Sequence, residues 1–281
     1  MSMNTITPQN WQYRDIDLKG VSWAGIGTCL TIPSMKLAFD VAQGLPFAFG
    51  MRDFLISHGH QDHAGGIPYV ISQKALAGHA PARFFLPPPL VKPMGEILAI
   101  WQSIEGHQYE FELIPAEPGQ DYELQNNLVA TPFPTVHRVP SQGYILSRSV
   151  KKLREQYRGL SGDEIKNLSL SGRPTFDKVM RPLFAFTGDT QIEVLEQNPI
   201  LSECQVLCIE VTYIDEKKSV TSAREWGHIH LDEILPLLPS LLCEKILLIH
   251  MSARHGTQEL ERRLDRALDP DVRARVDVFP R

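Results

Sequence analysis

Short apolar runs, each closed by a glycine, a proline or a charged residue, recur along this chain and predict a succession of buried strands. Gly20 to Leu30 reads as a glycine-punctuated strand and turn, Lys36 to Val41 as the next strand, and Met51 to Ile56 as another. Apolar positions then take helical spacing from Gly66 to Leu76. Arg83 to Leu86 returns to strand and is halted by Pro87-Pro88-Pro89, and Met94 to Ile104 predicts a second helix. Brief alternating segments come next at Tyr109 to Leu113, Tyr122 to Leu124 and Leu128 to Thr131. Four further runs come later: Phe133 to Val136, Leu183 to Phe186, Val206 to Ile209 and Ile246 to Ile249. Strands mixed with helices, with no internal repeat, predict an α/β chain.

The residues that close these runs carry the chemistry. Met51 to Ile56 leads into Ser57-His58-Gly59-His60-Gln61-Asp62-His63, which packs three imidazoles and a carboxylate into one loop. Imidazoles two residues apart on a turn can share one metal ion, and the Asp62-His63 pair can reach a second. Later runs end in His137, in Thr187-Gly188-Asp189-Thr190, in Glu210 and in His250. A sheet that holds its strands in register brings such residues to one edge. Asp40, at the end of another strand, reads either as support for the site or as a solvated loop acid. Thr187 and Thr190 could bond the acid between them or only satisfy a turn.

The 281 residues, 43% hydrophobic and 22% charged, suit one large soluble domain or two small ones. A net charge of −5 excludes a whole-molecule attraction to nucleic acid, so a polyanion needs a local patch. One exists: Arg148, Lys151, Lys152, Arg154, Arg158, Lys166, Arg173, Lys178 and Arg181 face only Glu155, Asp163, Glu164 and Asp177. Such a charge run reads either as a solvated face or as a phosphate-contacting arm. The four cysteines form no disulfide or zinc-knuckle pattern, the start of the chain lacks a signal-peptide core, and no run reaches membrane-spanning length. A cytoplasmic protein with no membrane partner is expected.

The string His-x-His-x-Asp-His followed by His137, Asp189 and His250 resembles the metallo-β-lactamase superfamily. Further stretches narrow the likeness: Pro140 to Tyr144, Tyr157 to Lys166, Glu210-Val211-Thr212, Gly227-His228-Ile229-His230 and Leu247 to Arg254. They resemble the plant-type short form of tRNase Z, from about Gly20 to Arg254. That resemblance implies a four-layer αββα sandwich in a single domain over residues 1–281, with a basic insertion at about 148–182. It implies two zinc ions, with manganese as the other candidate. One is held by His58, His60 and His137 and the other by Asp62, His63 and His250, with Asp189 bridging. It also implies a homodimer, with His228 as proton donor and Glu210 as the acid orienting it; Asp62, by its own chemistry, could accept a proton from the attacking water or fix its lone pair toward phosphorus. Ile209 stands where the family's element usually begins with histidine, and no arginine completes the loop near Pro33 to Lys36.

The implied activity is an endoribonuclease that removes the 3′ trailer of precursor tRNA, gripping it through the segment around Arg148, Lys151, Lys152, Arg154 and Arg158. Paired cations suit this reaction because they clamp the attacking and leaving oxygens of a phosphodiester. The alternative is a small-molecule phosphodiester, thiolester or lactone hydrolase on the same fold, and a third reading is a metal-free binding subunit. His230 reads as helping His228 or, more simply, as a core or capping residue; His79, His107 and His255 carry no motif.

Overall fold

The apolar runs assemble into two mixed sheets in the computed structural model, which describes residues 7–215 and 217–280. The first sheet follows chain order: β1 (Gln9–Tyr13), β2 (Ile16–Ala24), β3 (Gly27–Ile32), β4 (Leu37–Phe39), β5 (Asp53–Leu55), β6 (Ala82–Leu86) and β7 (Phe111–Pro115). β1 to β4 pair antiparallel, and β4 to β7 pair parallel. Parallel neighbours need a crossover: α1 (Gln61–Ala64) and α2 (Ile67–Leu76) link β5 to β6 and α3 (Pro88–Glu105) links β6 to β7, while β4 reaches β5 through a loop with one short 3-10 turn at Pro46–Ala48.

The second sheet comprises β8 (Tyr122–Glu123), β9 (Leu128–Pro134), β10 (Gln142–Leu153), β11 (Phe176–Phe186), β12 (Val206–Glu210) and β13 (Lys245–Ile249). β14 (Met251–Ser252) crosses to pair with β2, and β15 (Val276–Val278) completes the second sheet beside β13. Here too an antiparallel half, β8 to β11, joins a parallel half, β11 to β15.

Three apolar clusters define the layers. Leu30, Phe39, Tyr144, Phe184 and Phe186 lie in the cluster that both sheets share. Phe54, Phe84, Ile67 and Val70 lie in the one under α2 and α3. Leu207, Ile209, Ile246, Ile234 and Leu264 lie in a third, between the second sheet and the helices α5 (Val194–Gln197), α6 (Val220–Glu225), α7 (Leu231–Ile234), α8 (Thr257–Ala267) and α9 (Pro270–Arg273), where α7 and α8 contribute directly. Helix, sheet, sheet, helix is the expected αββα sandwich. Ile209 belongs to that third core, fully buried.

Two elements differ from expectation. β6 ends at Leu86, before the proline triplet, as expected, but the helix expected from Met94 begins earlier, at Pro88, where the missing N–H had no partner to lose. The polar lead also contains a strand, β1, hidden because its alternation sets Trp11 and Tyr13 among the polar residues Gln9, Asn10, Gln12 and Arg14.

β10 and β11 run on past the sheet as a two-stranded ribbon. β9 pairs with β10 only as far as Arg148, whereas β10 and β11 stay paired to Leu153 and Phe176. The link between them carries α4 (Gly162–Leu170), closed at its N-terminus by a reciprocal Ser161–Glu164 capping box. This ribbon and helix form the basic segment.

Candidate metal centre

All the expected ligand residues meet at the carboxyl ends of the strands. β5 delivers His58, His60, Asp62 and His63, β9 leads to His137, β11 to Asp189, β12 ends in Glu210 and β13 leads to His250. An isolated antiparallel bridge between His58 and Ser141 joins the two sheets at this edge. Donor atoms of His58, His60, His137 and Asp189 all lie within 4.8 Å of one another, as do those of Asp62, His63 and His250. Glu210 and His228 form a third such group with Asp189 and His250.

Asp189 stands between the first two groups. Its Oδ1 is 3.4 Å from Nε2 of both His63 and His250, while Oδ2 is 3.8 Å from His58 Nε2. Oδ1 is buried without a hydrogen-bond partner, which carries a substantial desolvation cost unless a cation completes it. Facing ring nitrogens are also crowded: His58 Nε2 and His60 Nδ1 are 2.9 Å apart, and His63 Nε2 and His250 Nε2 are 3.3 Å apart. Lone pairs held this close repel unless something positive lies between them. The donor set fits divalent cations.

The far side of four of the rings is tied down. His58 Nδ1 contacts Ser57 Oγ at 3.0 Å, His63 Nδ1 contacts Asp40 Oδ2 at 2.7 Å, His137 Nδ1 meets the Gly227 carbonyl at 2.8 Å, and His250 Nδ1 meets Thr212 Oγ1 at 3.0 Å. Each contact assigns Nδ1 as the donor and turns Nε2 toward the centre, as ligating histidines require. Ser57 Oγ donates in turn to Asp40 and Thr212 Oγ1 to Glu210, at 2.8 and 2.6 Å. Asp40 therefore supports the site and is no solvated loop acid. Ser57 and Thr212 are positions that reading the sequence missed; their signal was only adjacency to His58 and Glu210.

The electrostatics arise from burial. Burial lowers the pKa of His58 far below the usual imidazole value, lowers that of His60, and takes His250 down to about 4. Burial also opposes charge on His63, but Asp189 and Asp40 outweigh it and hold that ring well above its ordinary value. For Asp189, burial favours the neutral acid, yet His250 and His63 hold it well below the carboxylate range. Burial thus favours neutral His58, His60 and His250 around an ionised Asp189, the states that metal ligands need, while Asp189 and Asp40 favour on His63 a proton that a bound cation would displace.

His228 lies 2.8 Å through Nδ1 from Glu210 Oε1, and its ring stacks near His250. Burial disfavours its charge, but the Glu210 carboxylate overcomes this and raises the pKa to about 9. His230 caps α7, accepting from the Asp232 N–H at 3.2 Å through Nδ1, so it takes the capping role. Thr187 and Thr190 donate to the Gly188 and Gln191 carbonyls and so satisfy the turn. Asp40 and His250 both sit at positive φ, 52° and 60°, a strained setting for side chains that is concentrated at functional sites.

Because Asn tolerates the left-handed backbone, Asp40→Asn removes the charge behind His63 without that added strain. The expected result is a roughly 10- to 100-fold loss of metal affinity, measured by zinc titration against a competing chelator. Unchanged affinity would show that Asp40 serves packing alone.

An αββα sandwich with this cluster at its strand ends defines a metal-dependent hydrolase of the metallo-β-lactamase fold. Solved structures agree on the fold: the metallo-beta-lactamase fold protein YhfI from Bacillus subtilis superposes with a TM-score of 0.63 at 13% identity, covering 92% of this chain and 93% of that one. Human tRNase Z, short form, superposes at 0.58 with 15% identity, covering 83% and 92%. In sequence the chain is 34% identical over 268 residues to tRNase Z TRZ1 of Arabidopsis thaliana, 94% of this chain and 95% of that protein. The chain belongs to the tRNase Z family, and over residues 35–266 it also belongs to the family described as Anti-Pycsar protein Apyc1.

Proposed function

We propose that this protein is a cytoplasmic endoribonuclease that cuts the 3′ trailer from precursor tRNA. The observation that carries the reading is Asp189 between two groups of imidazoles, with the Glu210–His228 pair in the same pocket. His58, His60 and His137 would hold one divalent cation and Asp62, His63 and His250 the other, with Asp189 shared. Nitrogen and carboxylate donors suit zinc, with manganese as the second candidate. When bound, such a pair supplies positive charge to the phosphodiester and lowers the pKa of water.

The chain's own residues do the rest. Asp62 is oriented by the Gly25 N–H, 3.0 Å from Oδ2, and can accept a proton from the attacking water. As the water oxygen bonds to phosphorus, the bond to the 3′ oxygen breaks, and that oxygen needs a proton to leave. His228 is charged at neutral pH and has Nδ1 engaged by Glu210, so it donates through Nε2. The products are a tRNA body ending in a 3′-hydroxyl and a trailer beginning with a 5′-phosphate. Precursor tRNA with a labelled trailer should be cut once, next to the discriminator nucleotide. No cut with zinc or manganese supplied rejects the proposal.

The ribbon supports a polyanion partner. Arg148 pairs directly across from Arg181, and Lys151 across from Lys178, an arrangement that repels until an anion joins it. Arg148, Arg154 and Arg158 are partly offset by Asp15, Asp177 and Glu155 at 2.6, 2.8 and 2.7 Å. Lys151 and Lys152 are exposed on the same ribbon. Reversing both to glutamate should raise KM for precursor tRNA by about tenfold or more and flatten its salt dependence. An unchanged KM refutes a role for the ribbon in binding RNA.

The family model described as an anti-Pycsar protein, and not as a tRNase, favours a second reading: a small-molecule phosphodiester hydrolase at the same centre. Turnover of small diesters without any precursor cleavage would select it. All four cysteines are buried and unpaired, which supports a reducing compartment. The family resemblance further suggests a homodimer, which light scattering in solution would measure.

A further inference from the structure

Arg138 and Trp226 form a flat pair beside the centre that the chemistry above does not use. The Arg138 guanidinium carbon lies 4.8 Å from the centroid of the Trp226 ring, and that indole is half exposed. Arg138 directly follows His137, and Trp226 stands two residues before His228. The two segments are locked together at Gly227. Its carbonyl accepts from His137 Nδ1 at 2.8 Å, its φ is +79°, and a Cβ there would fall 2.6 Å from the same nitrogen. α6 is anchored as well, because Arg224 bridges Glu193 and Glu233 at 2.9 and 2.6 Å. Among the described residues no carboxylate pairs with Arg138.

An exposed indole backed by an unneutralised guanidinium offers a π-face and a positive charge at one place. A nucleobase with its adjoining phosphate matches both. Arg138 adjoins His137 and Trp226 adjoins Gly227, whose carbonyl His137 contacts, so the pair borders the pocket, and on the endoribonuclease reading the base taken there is that of the nucleotide whose 3′ oxygen departs. We infer that Arg138 and Trp226 form a stacking platform that positions this base and so helps restrict the enzyme to nucleic acid. The inference rests on the endoribonuclease reading for the identity of that nucleotide, though not for the stacking itself.

The test couples protein to substrate. Trp226→Ala should raise KM for precursor tRNA about tenfold, and Trp226→Phe should recover most of the loss. A precursor with an abasic discriminator nucleotide should show the same rise with the wild-type enzyme, and no further rise with Trp226→Ala. Independent, multiplying effects overturn the platform. A second measurement tracks the fluorescence of wild type against Trp226→Phe with a short RNA and with the same strand made abasic at its centre. Quenching that requires both Trp226 and the base supports the platform, and its absence rejects it. If wild type cuts no precursor yet this quenching occurs, the proposed activity falls while the platform stands. If cleavage occurs without coupling, the reverse holds.

Discussion

Asp189→Ala is expected to strip metal from the protein and abolish hydrolysis, the largest single loss any substitution here should produce. The side chain is buried, and its two oxygens face different donor groups, Oδ1 toward His63 and His250 and Oδ2 toward His58. Removing it takes a donor atom and a shared negative charge from both half-sites, leaving three donors on each side and less charge to offset a pair of cations held close together. Metal analysis should find well under the wild-type content, with circular dichroism unchanged to show that the fold survives. Asp189→Asn preserves shape but not charge, and it should fail almost as completely. Full metal content in either variant would mean that the carboxylate is not shared between two ions.

His228→Ala should behave differently: metal content stays, while kcat for precursor cleavage falls by roughly 100- to 10,000-fold. The ring has its Nδ1 on Glu210, outside the two groups that would hold cations, so its loss removes a proton and not a ligand. The pH profile supplies a second readout. With a pKa raised to about 9, the donor is protonated below that pH and empties above it, so wild-type activity should decline through about pH 9. Glu210→Gln removes the charge that raises the pKa and should move that decline toward neutrality. A profile that His228→Ala leaves intact would sink the assignment of the proton donor.

Much of this site was legible because its densest part is local. His58, His60, Asp62 and His63 fall on one turn, where spacing alone limits what they can reach together. His137, Asp189, Glu210 and His250 were legible more indirectly, as polar residues ending apolar runs. The supporting contacts were harder to see. Asp40 reads ambiguously in sequence, and nothing in the order of residues reveals that its carboxylate lies 2.7 Å behind His63. Thr212 bridges Glu210 and His250, 38 residues away, and that partnership exists only because β12 and β13 pair in parallel with Glu210 opposite Ile249. The opening of α3 was misread for a different reason. The proline triplet both ends the strand at Leu86 and opens the helix, and the apolar spacing that begins only at Met94 hid the second role.

The sequence by itself determined the alternation that builds two sheets, the ligand-rich turn after β5, the basic composition of the 148–182 segment and the family likeness. These are properties of neighbouring residues, where covalent spacing and local preference suffice. Only the tertiary structure decided that Asp189 faces both groups of imidazoles, that Glu210 reaches His228, and that Arg138 lies across the ring of Trp226. Such contacts depend on strand register and sheet stacking, which are set by the whole apolar core and by no single stretch of chain.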